Sequence, residues 1–202
     1  VGYNGIHFYY PSTVQYNYVQ NCNLLKDDGG GIYTSSPDVY PAAAQNNGSV
    51  IRYNIIDGSW GTAQGFTTYG YTLGEGIYLD ESSGGISVYG NSVGNVTSGA
   101  YYAHKGYSHL IRDNISYRAR YGLLLKHKGN NIIARKNKLY GFSRDYNDKQ
   151  SEQMVWKFGT TTRPAIDSNT YVQHYKSADI FADSITNYSF AAWKTATGKD
   201  AA

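Results

Sequence analysis

The sequence predicts an all-β fold: a right-handed single-stranded parallel β-helix, a solenoid with coils of about 23 residues, loop insertions and a C-terminal cap. Three observations carry that expectation. Gly76-Ile-Tyr-Leu-Asp-Glu, Gly99-Ala-Tyr-Tyr-Ala-His and Gly122-Leu-Leu-Leu-Lys-His align without gaps, their glycines 23 residues apart. Asn91, Asn114 and Asn137 hold the same step. The composition, with 23 Gly and 22 Tyr, favours turns and strands over helices, because Gly tolerates positive φ and Tyr suits a pleated surface.

Each unit carries short apolar runs broken by Gly and Asn: Ile77 to Leu79, Ile86 to Tyr89, Leu110 to Arg112, Asn131 to Ala134. A period in the low twenties also suits leucine-rich repeats, but those need a Leu-x-x-Leu-x-Leu register and a helical half. Here the second half is another strand-like run ending at Asn, so the Asn column reads as an inward ladder at a bend. Gly31-Ile-Tyr-Thr and Ile51-Arg-Tyr-Asn-Ile extend the pattern towards the N-terminus, with insertions at Pro37 to Gly48 and Gly58 to Gly74. Such loops on a rigid scaffold are usual places for binding function. Beyond Asn137, Arg144 to Gln153 reads as another polar excursion and Met154 to Phe158 as a further strand. From 175 to 202 the period fades towards a cap, with Ser189-Phe-Ala-Ala-Trp-Lys-Thr as a short helix. The chain reads as a single domain over 1–202, the C-terminal part of a larger fold, since Val1 opens on sequence typical of its middle.

Residues one period apart should stack at strand spacing, about 4.8 Å, so the repeat can be read as a surface. Ile77, Ala100 and Leu123 form one expected inward column, and Leu79, Tyr102 and Leu125 the next. Tyr78, Tyr101 and Leu124 are expected to face outward, followed by Asp80, Ala103 and Lys126. At the turn come Glu81, His104 and His127, then Ser82, Lys105 and Lys128, while Asp27 and Asp28 precede three glycines in an earlier coil. This strip has what sugar chemistry needs. A glycosidase uses one carboxyl as acid and another as base or nucleophile, here Asp80 with Glu81, Asp28 or Asp27. A lyase acting on uronates needs a base and positive charge, here His104 with Lys105, Lys126 or His127, and Ca²⁺ held by carboxylates could bridge its substrate. Tyr78 and Tyr101 would supply faces for sugar rings. A non-catalytic glycan-binding or adhesive module is the remaining class.

Asp27-Asp-Gly-Gly-Gly-Ile-Tyr-Thr, Val50-Ile-Arg-Tyr-Asn-Ile-Ile and Gly76-Ile-Tyr-Leu-Asp-Glu-Ser-Ser-Gly-Gly-Ile-Ser-Val-Tyr-Gly-Asn resemble right-handed parallel β-helix proteins of bacterial carbohydrate metabolism. The resemblance points to proteins like glycoside hydrolase family 141, with fucosidase and xylanase activities, and to pectate-lyase-like proteins. The ending from Ser189 to Asp200 is similar to the end of such domains. The resemblance implies Asp80 as a catalytic carboxylate and a secreted or periplasmic location. His104-Lys105, where the pattern often has glycine or histidine, keeps the lyase alternative open.

The net charge of +3 is weak and accompanies no nucleic-acid motif, so no nucleic-acid partner is expected. No stretch approaches the ~18 apolar residues of a membrane span. Cys22 is the single cysteine, which excludes an internal disulfide and reads as a buried small residue. The expected partner is a poly- or oligosaccharide bound by a monomer with no resident cofactor.

Overall fold

The computed structural model describes residues 1–36, 44–62, 72–126, 131–141, 153–158, 164–173, 180–183 and 186–200. They form two sheets. A six-stranded sheet orders Ala165–Asp167, Ile133–Arg135, Leu110–Arg112, Ser87–Tyr89, Val50–Arg52 and Thr13–Gln15, all parallel. A twelve-stranded sheet contains two runs that share the long strands Ser92–His104 and Ile115–Lys126. One run includes Ile6–Phe8, Gly29–Thr34 and Gly74–Leu79; the other includes Tyr18–Cys22 and Ile55–Ser59.

This corrects the expected fold class. The short helix expected near the end is present, Phe190–Thr197, capped by Ser189 at its start and by left-handed Gly198 at its end, but the strands do not make the expected solenoid. Phe181–Asp183 pairs antiparallel with Thr186–Tyr188. Nor is the spacing a uniform 23 residues: successive ladder asparagines lie 37, 37, 23, 23 and 32 residues apart. What the described residues show is two sheets, parallel apart from that one pair, and a short helix, not a right-handed solenoid of regular coils. Parallel pairing fixes which strands are neighbours, while the length of the connection between them is free to vary.

The apolar faces of these strands enclose one core. Ile32, Ile77, Tyr101, Leu123, Val155 and Phe181 follow one another across the large sheet, and Ile51, Val88, Ile111, Ala134 and Ile166 across the small one. Val19, Ile56, Val93 and Leu139 supply the third side, and Trp193 of the helix stacks on Phe181 at 5.3 Å. A Cβ on Gly76 would collide with Val93 and the Ala100 carbonyl, and one on Gly31 with Ile56. At Gly31 and Gly76 the missing side chain is thus a packing requirement where two apolar faces meet.

The asparagine ladder is present. Asn17, Asn54, Asn91, Asn114, Asn137 and Asn169 each donate both backbone N–H and Nδ2 to an oxygen of the next member, at 2.9 to 3.1 Å. From Asn54 onward each Nδ2 also donates to a carbonyl on a neighbouring strand, such as Val88 O for Asn114. The last acceptor is Asp200: Oδ1 takes both bonds from Asn169, and Oδ2 takes one from Tyr171 OH at 2.7 Å. An aspartate suits that end because it accepts without presenting amide donors that would need partners of their own.

The expected surface columns are displaced by one residue. Ile77 pairs with Tyr101, and Tyr101 with Leu123, so the steps are 24 and then 22 residues. An irregularity between Ala119 and Tyr121 marks the shift. Ala100, not Gly99, therefore occupies the corner position that Gly76 holds in the preceding unit. A one-residue slip exchanges the two faces of a strand. Tyr101, expected outside, is buried in the core with its hydroxyl on the carbonyls of Asn91 and Ile115. Tyr102, expected inside, faces outward, and Ala103 joins Leu79 and Leu125 in the core.

Candidate active site

The outward column that results is aromatic. His7, Tyr33, Tyr78, Tyr102 and Leu124 are register partners in sequence. His7 meets Tyr33 edge-on at 4.7 Å, Tyr33 meets Tyr78 edge-on at 5.3 Å, and Tyr78 stacks on Tyr102 at 4.6 Å. Both geometries suit the ring quadrupole. Tyr78 and Tyr102 are buried in this second, smaller cluster. They make a wall against which polar groups are held, with little ring face left for a sugar.

The next outward position beyond this column carries Asp80, then His104, then Lys126. The one-residue shift makes His104 and Lys126 direct register partners and sets His104 beside Asp80. Asp80 follows the strand Gly74–Leu79, its N–H donating to Thr34 O at 2.8 Å and its carbonyl accepting from Ser83 N–H at 3.0 Å. Its Oδ1 lies 2.7 Å from His104 Nδ1, and its Oδ2 accepts from Tyr33 OH at 2.8 Å. Tyr78 OH is 3.4 Å from the same His104 nitrogen and donates to Asp28 Oδ1 at 3.2 Å. Tyr3 OH donates to the Asp28 carbonyl at 2.9 Å. Asp28 adopts a left-handed backbone, φ 55°, which turns its carboxyl towards Tyr78 although the residue as a whole is exposed. The side chains of His104 and Asp80 keep 16% and 14% of their surface open.

The two aspartates are pushed in opposite directions. Burial acts to raise the Asp80 carboxyl, but the hydrogen bonds of His104 and Tyr33 outweigh it and hold the group below the usual carboxylate range. Burial, and then repulsion from Asp80, raises Asp28, against the opposing pull of Tyr78, His104 and Lys126. A third carboxyl, Glu75, is fully buried beside them and pushed up to about 8 by desolvation. Its Oε2 accepts from Gly99 N–H, while Oε1 is buried without a hydrogen-bond partner among the described residues.

The structure thus gathers Asp80, His104, Tyr78 and Asp28, with Lys126 alongside. It separates the others. Glu81 forms an ion pair with Lys105 that is about half exposed on both sides, a surface contact. Asp27 is buried and accepts from Leu73 N–H, a bond to the backbone. Tyr101 belongs to the core, and His127 lies outside the described residues. The sequence reading missed Tyr33, Tyr3, Tyr102 and Glu75. Tyr33 was within reach, because Gly31-Ile-Tyr matches Gly76-Ile-Tyr and so places Tyr33 beside Tyr78.

Among the described residues, no group of three or more His, Cys, Asp or Glu is arranged to hold a metal ion. No helix among them is long and apolar enough to cross a membrane. No protein-family model, no curated protein and no solved structure matches the chain.

Proposed function

We propose that the chain cleaves glycosidic bonds of a polysaccharide, with Asp28 as general acid and Asp80 as the ionised partner. One observation carries this reading: Asp28 and Asp80 are joined in one hydrogen-bonded network through Tyr78 and His104, in surroundings that push the first carboxyl up and hold the second down. Such splitting is how one site keeps an acid protonated while its neighbour stays charged. Asp28 gives its proton to the glycosidic oxygen as the bond to the anomeric carbon breaks. Asp80, whose oxygens retain lone pairs beyond those used by His104 and Tyr33, takes a proton from the incoming water. Tyr78 bridges towards both groups and would relay changes in charge between them. A polymer substrate is met outside the cytoplasm, so the reading carries export with it.

A second reading rests on His104. With Nδ1 against Asp80, its other ring nitrogen is oriented as a base, as the partner of an Asp–His pair commonly is. Lys126, next in the column, would stabilise the anion formed when a proton leaves the carbon beside a uronate carboxyl.

The test is incubation with neutral and uronate-containing polysaccharides, following new reducing ends and the ultraviolet absorbance of unsaturated sugars together. Reducing ends without absorbance, lost in both Asp80→Asn and Asp28→Asn, support hydrolysis. Absorbance that rises with cleavage and is lost in His104→Ala supports elimination.

A further inference from the structure

A second surface feature stands apart from the Asp80 network, on the outer face of the strands Tyr18–Cys22, Ile55–Ser59 and the first part of Ser92–His104. It is an open groove of about 310 Å³. Its floor is made by small residues: Ser92 and Gly94 point outward from the middle strand, between Ile55 and Asp57 on one side and Ile115 and Tyr117 on the other. Two strand spacings separate those walls, roughly 9 to 10 Å. Tyr18 and Tyr117 stand at its two ends, 61% and 46% exposed. Asp57 sits at one edge, its Oδ1 accepting from Asn95 Nδ2 at 2.6 Å and its Oδ2 from Tyr18 OH at 3.3 Å.

We infer that this groove binds a neutral sugar unit of a glycan. The inference goes beyond bond cleavage, since it concerns a site that neither Asp28 nor Asp80 lines. The chemistry of the lining points to that occupant. The C–H face of a pyranose is apolar and packs flat against an aromatic ring, while its rim of hydroxyls needs fixed acceptors and donors. The groove pairs an exposed aromatic ring at each end with one anchored carboxylate and one anchored amide. Asp57 is locked by Asn95 and Tyr18 and needs no reordering to accept a sugar hydroxyl, which lowers the cost of binding. Asp57 is also the one charged group among the described residues that line the groove, so a uronate seated there would meet its repulsion directly. A mostly apolar concavity with a few oriented polar groups is the usual form of a small-ligand site. The missing side chain at Gly94 sets the depth, because a Cβ there would stand 3.3 Å from the Tyr117 carbonyl and occupy the floor.

The experiment is affinity electrophoresis of the folded chain through gels containing xylan, β-glucan or arabinan, and separately polygalacturonate, with analytical ultracentrifugation of the same samples. At least one neutral polymer is expected to retard the wild type, and polygalacturonate is not. Tyr117→Ala should weaken that binding about tenfold, as truncating an aromatic anchor commonly does. Gly94→Thr, which fills the floor, should abolish it, while Tyr117→Phe should retain most of it. Circular dichroism of each variant confirms that the fold is kept. Asp80→Asn retarded like wild type supports a site separate from the cleavage network, even where cleavage is lost; no retardation of the folded wild type by any of the neutral polymers overturns the groove, and cleavage seen alongside that failure shows that the groove alone has failed. The inference is also overturned if Tyr117→Ala and Gly94→Thr bind as wild type does. Self-association that the same two substitutions abolish, without any glycan retardation, overturns it in favour of a second copy of the chain.

Discussion

His104 Nδ1 lies 2.7 Å from Asp80 Oδ1, and Tyr78 OH, 3.4 Å from that same nitrogen, carries the network on to Asp28. These contacts join groups from three strand ends and tie the protonation of each to the others. The consequences for activity and stability can be worked out group by group.

Activity should have an acid optimum that straddles the ordinary aspartate value of about 3.9. Asp80 must be ionised, and its affinity for a proton is lowered, so the acid limb falls below that value. Asp28 must be protonated, and its affinity is raised, so the alkaline limb falls above it. A pH profile of kcat/KM against a cleaved polysaccharide checks both limbs.

The two tyrosines should move those limbs separately. Tyr78→Phe keeps the buried ring and removes the donor that opposes the Asp28 shift, so the alkaline limb moves to higher pH. Tyr33→Phe removes a donor that holds Asp80 down, so the acid limb also moves to higher pH. Profiles of the two variants, compared with wild type, read the limbs independently.

Glu75 should make the protein less stable as pH rises. Its carboxyl is raised from an ordinary value near 4.5 to about 8 in the folded chain, so the folded state binds the proton more tightly than the unfolded one. Stability associated with the group is present below the unfolded value and lost progressively up to the folded value. Glu75→Gln keeps an acceptor for Gly99 N–H and cannot ionise, so it should flatten this loss between about pH 5 and 8. Thermal unfolding of both proteins across that range measures it.

The ladder should respond differently at its middle and at its end. Asn114→Asp buries a charge and removes the donors to Val88 O and Asn137 Oδ1, at a cost of about 3 kcal/mol or more. Asp200→Asn keeps an oxygen for Asn169 but replaces the acceptor of Tyr171 OH by an amide donor, and should cost about 1 to 2 kcal/mol, less than the interior change. Denaturant titration of the two variants tests the contrast.

The ladder was legible in the sequence because each Asn must repeat to bond the next, so its register admits no slip. The site was half legible. Asp80 and His104 stood out as chemistry in a glycine-rich repeat, but their pairing did not. Steps of 24 and 22 residues cancel over two units, so Gly76 and Gly122 are still 46 residues apart and the shift at Ala100 leaves no trace in the period. Aligning glycines therefore put Tyr101 outside and Tyr102 inside, the reverse of what packing selects. The uniform coil failed for a related reason: strand pairing constrains the ladder residues, while the number of residues between them is free to vary. Glu75 carried no visible signal, since a lone acidic residue between two glycines gives no hint of full burial.

The most direct test of the central claim is cleavage carried out in water enriched in oxygen-18, with mass spectrometry of the oligosaccharides released. Hydrolysis by the Asp28–Asp80 pair predicts one atom of the heavy isotope in each new reducing end, and no such product from Asp80→Asn. Fragments that carry no label and end in an unsaturated sugar would contradict it and assign the chemistry to His104.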